Sequence, residues 1–373
     1  MSSAPLAGVT VIENASYISG PFAGLLLAQL GADVVKVEAP GSGDPFRRWG
    51  GAASGVKVRP QFAALNHGKR SVALDLRTPE GQAGYLDLVS HADALVENFR
   101  PGTLDRLGVG EAAVRDRNPE IVYCTVTGFG PTGPYKDRPA YDAIVQALSG
   151  LWGLLSPVSA PRATGPAMSD TLSGLNTALA VVAGLAGTAR RADAPRRFDV
   201  SMLAASLNLV GLSVANYADS GEVEGPFSRG RRSHSIALRC GDGRPLAVHL
   251  SSPEKFWVRL TDVVGRPEIR GDARFSTYPS RLAHFDELQG ELEAALADHG
   301  RDHWLTLLHE ADVPAAPIYA VDEVVQDPHV LEAGLLRQAA GPAGERFLVP
   351  RGAIAYAGDL DACSMEVPAL GGA

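Results

Sequence analysis

Cysteine is scarce: Cys124, Cys240 and Cys363 are the three in 373 residues, far apart and odd in number. They make no disulfide framework and no metal-ligand spacing, which fits a reducing, cytoplasmic setting. Positive charge is in deficit, with 34 Lys+Arg against 42 Asp+Glu and a formal charge of −8. That balance excludes a generic binder of nucleic acid or anionic membrane, and leaves room for a local basic pocket. Met1 to Pro5 carry neither the basic region nor the apolar core of a signal peptide. The longest membrane-like stretch, Leu172 to Ala189, is broken by Ser173, Asn176, Thr177 and three glycines, and reads as a buried helix.

Several chemical signatures are also missing. A dinucleotide fingerprint belongs in the turn after the first strand, where Asn14 to Pro21 show no glycine triplet. Neither a phosphate loop ending in Gly-Lys-Ser/Thr nor a nucleophile elbow occurs. The nine histidines include one zinc-like spacing, His299 and His303, in a polar turn without a nearby glutamate base.

What is present is alternation. Val9–Glu13, Asp33–Glu38, Ser71–Leu76, Ala94–Glu97 and Ile121–Val126 read as short strands, with helices over Phe22–Leu30 and Pro79–His91. Such order with apolar strands predicts an α/β protein with a parallel, doubly wound sheet, whose ligands sit at the strands' carboxyl ends. Beyond Gly150, Asp170–Arg190 and Val200–Ala218 read as long apolar helices. A linker-like loop, Gly225–Ser233, leads to a hairpin (Ile236–Arg239, Leu246–Leu250) and helices over 253–264, 285–296 and 302–311. Val313–Ile318 reads as a stiff connector before a strand-rich tail. Length and this change of character predict two domains.

Three places are richer than folding requires. Glu97–Gly108 and Thr127–Tyr135 follow strands, with glycines that admit a ligand to the backbone and with Arg100 and Arg106 able to hold phosphate. Asp170 opens a helix with the apolar stripe Leu172, Leu175, Leu179, Val182 and Leu185. Its spacing suits an N-cap first, and alternatively a covalent nucleophile.

Motifs in order across nearly the whole chain resemble the class III coenzyme A transferases, with the α-methylacyl-CoA racemases as a divergent branch. They include Leu30–Glu38 with Gly43-Asp44, Asn66, Lys69–Ser71, Leu74–Leu76, Asn98–Gly102, Gly128–Gly130, Tyr141-Asp142, Asp170, Asp199–Met202 and Asp327-Pro328. The resemblance implies a large Rossmann-like, CoA-binding domain from residues 1–218 and 335–373. It implies linkers at 219–235 and 313–334, a small α+β domain at 236–312, and two interlocked copies. It implies that CoA moves from an acyl-CoA donor to a small carboxylic acid through an aspartyl anhydride and an aspartyl-CoA thioester. CoA is thus a substrate, with no permanently bound cofactor, metal, nucleic acid or membrane. Asp170 matches the nucleophile, which the helix N-terminus would keep ionised at neutral pH, and Tyr141 an active-site tyrosine. Ile18, Ser19, Leu74, Asp75, Leu76, Arg77, Asn98, Phe99, Arg100 and Arg106 match CoA contacts. The alternative, racemisation by α-proton transfer, uses a histidine where Tyr141 stands. Two features depart from the pattern: Ala39 replaces an arginine, and Gly230 stands alone where relatives have consecutive glycines.

Overall fold

The computed structural model describes residues 4–50, 58–250, 254–356 and 363–372. Two compact units separate, one of residues 1–152, 161–219 and 331–373, the other of 153–160 and 220–330.

The first unit is built on β1 (Thr10–Asn14), α1 (Ser19–Gln29), β2 (Asp33–Glu38), α2 (Pro60–Asn66) and β3 (Arg70–Ala73). It continues with α3 (Pro79–Ser90), β4 (Ala94–Glu97), α4 (Thr103–Arg106), α5 (Glu111–Arg117) and β5 (Val122–Thr127). Next come α6 (Asp142–Leu148), α7 (Leu151–Leu155), whose last three residues count with the second unit, α8 (Met168–Thr188), β6 (Arg197–Ser201), α9 (Met202–Leu209) and α10 (Gly211–Ser220), whose last residue does too. The six strands pair in parallel in the order β3-β2-β1-β4-β5-β6. Successive residues of each strand enter opposite layers, as the pleat requires. Val11, Val34, Val96, Cys124 and Val200 pack with Ala23 and Leu27 of α1 and with Ala178 and Val181 of α8. Ile12, Val35, Leu95 and Tyr123 pack on the other face with Tyr85 and Val89 of α3, Leu104 of α4 and Val114 of α5. Both faces are therefore covered. Strand order reverses between β1 and β4, which opens a crevice at their carboxyl ends.

The chain's end returns to this unit. β10 (Leu336–Ala340) and β11 (Arg346–Pro350) form an antiparallel hairpin. Its Ala339, Phe347 and Val349 pack on Phe62 and Ala63 of α2. In the second unit, β7 (Ser235–Arg239), β8 (Pro245–His249) and β9 (Ala315–Pro317) form an antiparallel sheet. Helices Glu254–Val263, Phe285–Leu296 and Arg301–Glu310 cover it, burying Trp257, Leu260, Leu288, Leu292, Leu305 and Leu308.

Four expectations need correction. The sheet does not close at the strand near Ile121–Val126. Arg197–Ser201 adds a sixth strand at the edge, its half-exposed pattern hidden by the apolar run after it. The expected helix Val200–Ala218 is consequently a strand end followed by α9 and α10. Val313–Ile318 is no mere connector, because β9 pairs with β8. The linker-like loop holds a short helix, Ser228–Arg232. The expected helix start at Pro253 lies outside the described residues.

The helix opened by Asp170 is buried on one face, and that face is not its leucine stripe. Ser173, Gly174, Thr177, Ala178, Val181 and Gly184 turn inward, while Leu175 and Leu179 are 53% and 63% exposed. Small residues let α8 lie close on α1: a Cβ at Gly174 would stand 2.6 Å from the Ser19 carbonyl oxygen. Among the described residues α8 alone is long and apolar enough to cross a membrane, by length and composition only, a property that the core helix of a soluble protein shares.

Candidate active site

The crevice between β1 and β4 is tied together by one side chain. Asn98, just past β4, accepts the Ser16 N–H at 3.0 Å and donates to the Ser16 carbonyl at 2.8 Å and the Ser19 hydroxyl at 3.2 Å. Within the Ser16–Ser19 turn, Tyr17 adopts φ 65°, a left-handed conformation that non-glycine residues rarely hold. Its ring meets that of Tyr141 edge-on, with centroids 6.4 Å apart.

Ser16, Tyr17, Ser19, Asn98, Phe99, Arg100, Tyr141 and Asp170 line one cavity of about 330 Å³, joined by Lys136 and Arg138. Asp170 stands in the first turn of α8. It does not cap the helix, because Ala167 occupies that position. Its backbone N–H donates instead to Asp142 Oδ1 at 3.2 Å. Gln146 donates to Asp142 Oδ2 and, at 3.1 Å, to the Pro166 carbonyl, so α6 holds the segment entering α8. Burial, and secondarily the Asp142 charge, push the Asp170 carboxyl up to about 7. The helix end is expected to keep it ionised at neutral pH; desolvation and a like charge oppose that, and leave it only partly ionised there. A carboxylate poised near neutrality is a better nucleophile than an ordinary one, and is still substantially ionised at pH 7.

Of the residues singled out in the sequence, Ser19, Asn98, Phe99, Arg100, Tyr141 and Asp170 share this cavity. Ile18 is the N-cap of α1 and packs toward Phe46 and Phe62. Leu74, Asp75, Leu76 and Arg77 follow the edge strand β3 outside the cavity, with Arg77 paired to Asp75 at 2.8 Å. Arg106 lies exposed on α4 and donates to Thr103 at 3.0 Å. Tyr17, Lys136 and Arg138 line the cavity without a mark in the sequence patterns above. Tyr17 carries no compositional mark, and its signal is a backbone angle. Arg138 is legible only as a cation shortly before Tyr141. A second cavity of about 270 Å³ shares Phe99, Arg100 and Lys136 with the first, and adds Glu97 and Arg197 at the ends of β4 and β6. Arg197 is held there by Glu111 and Asp199.

A family model described as CoA-transferase family III matches residues 6–373. The chain belongs to that family. This class III CoA-transferase is 33% identical over 333 residues to the succinyl-CoA–D-citramalate CoA-transferase of Chloroflexus aurantiacus, covering 88% of this chain and 81% of that one. It is 35% identical over 341 residues to the succinate–glutarate CoA-transferase of Agrobacterium fabrum, covering 89% and 84%. A crystal structure of a CAIB/BAIF family protein from Brucella suis superposes with a TM-score of 0.87 at 31% identity, over 100% of this chain and 97% of that one.

Proposed function

We propose that this enzyme transfers CoA from an acyl-CoA donor to a carboxylic acid through covalent intermediates on Asp170. The observation that carries the reading is a desolvated carboxyl, titrating near neutrality, in a cavity lined by Asn98, Phe99 and Arg100 at the sheet's reversal. The Asp170 carboxylate attacks the donor's thioester carbonyl, the C–S bond breaks, and thiolate leaves an acyl-aspartyl anhydride. Thiolate then attacks the aspartyl carbonyl, releasing the donor acid and leaving an aspartyl-CoA thioester. The acceptor carboxylate attacks that thioester to give a second anhydride and thiolate. Attack of thiolate on the acceptor's acyl carbon yields the new acyl-CoA and restores Asp170. A site closed to water conserves the thioester through these steps. Tyr141 borders the reacting carbonyl. Leu74–Arg77 and Arg106 lie outside the cavity and are assigned, by the family resemblance, to the nucleotide end of CoA. Arg100, Lys136 and Arg138 favour dicarboxylic acids, in keeping with the relatives named for succinyl-CoA and glutarate.

We also read the enzyme as a cytoplasmic homodimer with interlocked chains. Support comes from α8 and α10, which expose Leu175, Leu179, Leu212, Val214 and Tyr217 although a water-facing helix has no need of them.

The decisive test is Asp170→Asn. An amide keeps the shape but cannot carry an exchangeable anhydride, so folding and CoA binding persist while transfer falls by several orders of magnitude. Wild type mixed with acyl-CoA and quenched with hydroxylamine or borohydride should carry the label on the peptide containing Asp170. An unlabelled peptide during turnover, or near-normal transfer by Asp170→Asn, sinks the mechanism.

A further inference from the structure

Six charged side chains lie buried together beneath the first turn of the site. Glu13, Lys36, Glu38, Asp44, Arg47 and Lys69 are each at most 6% exposed. Lys36 Nζ stands 2.7 Å from Glu13 Oε1 and 3.0 Å from Asp44 Oδ2, and Lys69 Nζ 2.7 Å from Glu13 Oε2. Arg47 donates to both oxygens of Glu38 at 2.7 Å. α1 approaches so closely that a Cβ at Gly24 would stand 1.9 Å from Glu13 Oε2. Three cations thus meet three anions. Desolvating such groups is costly, and well-packed hydrocarbon often does as well or better for stability. Stability alone therefore gives a poor account of the cluster.

Its outward bonds give a better one. Lys36 donates to the Ala15 carbonyl at 2.7 Å, and Lys69 to the Pro21 carbonyl at 2.7 Å in the first turn of α1. Asp44 Oδ1 accepts the Tyr17 N–H at 3.2 Å and the Phe46 N–H at 2.9 Å. The rings of Tyr17 and Phe46 then pack edge-on, with centroids 6.3 Å apart. Tyr17 is the residue whose backbone is left-handed, a conformation that persists only where its surroundings impose it. Burial opposes charge on Lys36, but Glu13, Asp44 and Glu38 outweigh it and raise its pKa, so the cation persists at neutral pH.

We propose that Asp44 and Lys36 are positioning residues, whose buried charge network holds the Ala15–Ser19 turn, and Tyr17 with it, in the shape that receives CoA. The proposal rests on the reading of the crevice as a CoA site. Both residues act through the backbone of Ala15 and Tyr17.

Calorimetric titration with free CoA tests it, at a temperature where every variant is folded. Asp44→Ala should weaken binding about tenfold. In a Tyr17→Gly background the same change should cost less than about threefold, because glycine takes a positive φ without strain and Asp44 no longer has that strain to hold. Leu288→Ala, a cavity in the core of the second unit, should lower the melting temperature and leave CoA affinity unchanged. Equal losses in both backgrounds, or wild-type affinity in Asp44→Ala, overturn the proposal. Amide hydrogen exchange on the unliganded wild type supplies the check if Asp44→Ala does not fold. The Tyr17 amide should be strongly protected there, and exchange at the rate of an open loop overturns positioning by Asp44. A wild type that binds no CoA overturns the CoA reading itself, while the exchange result still decides whether Asp44 holds the turn.

Discussion

Asp170 is where a single atom's environment becomes a measurable property. Its pKa is raised above the unfolded value by burial and by Asp142, so ionising it costs folding free energy. In the proposed mechanism attack needs the carboxylate, so kcat/KM should rise with pH through about 7. Asp142→Asn keeps an oxygen to accept the Asp170 N–H but removes the charge, and should move that midpoint down by roughly one unit. An unmoved midpoint would leave burial as the whole cause. Stability follows with the opposite sign. The protonated form is favoured in the folded state, so this contribution is full below the unfolded pKa and lost as pH rises through about 7. Asp170→Asn should therefore be more stable than wild type at pH 8, on the order of 2 kcal/mol in denaturant unfolding, and no more stable at pH 3. Arg106, exposed on α4, belongs to a different regime. In its proposed role, a charge-assisted phosphate contact far from the thioester, it would supply uniform binding of about 1.5–3 kcal/mol. Arg106→Ala should raise KM for acyl-CoA with little change in kcat, and a collapse of kcat at unaltered affinity would place Arg106 elsewhere.

At the scale of elements, α8 decides how closely Asp170 approaches the Ser16–Ser19 turn. Gly174 faces Ser19 and Phe22, and a methyl group there would stand 2.6 Å from the Ser19 carbonyl oxygen and 2.9 Å from the Phe22 ring. Helix propensity favours Gly174→Ala by about 1 kcal/mol. Overpacking against the α1 backbone costs about 1–3 kcal/mol, and the neighbour cannot swing away. The variant should melt below wild type and lose activity, since Ser19 and Asp170 must separate. Raised stability with full activity would show that the two helices have slack. The elements were legible in proportion to how local their causes are. Asp33–Glu38 and Ala94–Glu97 coincide with their expected spans, because β-branched or apolar runs bounded by loops need nothing else. β6 was hidden, since Arg197–Ser201 is an edge strand defined by its pairing with β5. The inward face of α8 was misread for a related reason. Leucine spacing marks an apolar stripe, but only packing tells whether that stripe meets its own core or another surface.

For the whole molecule, the two chain ends share one unit while residues 220–330 belong to the other. Together with the exposed leucines of α8 and α10, that arrangement motivates an obligate dimer whose subunits exchange only on unfolding. Tagged and untagged pools mixed under native conditions should remain unmixed over days in pull-down and mass measurements. Rapid heterodimer formation refutes interlocking. Leu212→Asp, on a residue 79% exposed in the isolated chain, should impair dimer assembly if α10 lies at the interface and leave mass in solution unchanged if it does not.

Sequence by itself determined the alternation of strand and helix, the parallel sheet that alternation demands, the family, and the position of Asp170 after a loop and before a helix. These depend on residue type and near neighbours, which a linear reading contains. Tertiary structure alone decided what happens between residues distant in the chain. Burial and Asp142, 28 positions away, set the proton affinity of Asp170. Asn98 bonds to a turn 82 positions earlier. Glu13, Lys36 and Lys69 lie far apart in the sequence, and the fold buries them as one network. Electrostatic energies depend on distance and on excluded water, and neither quantity exists until the chain has folded.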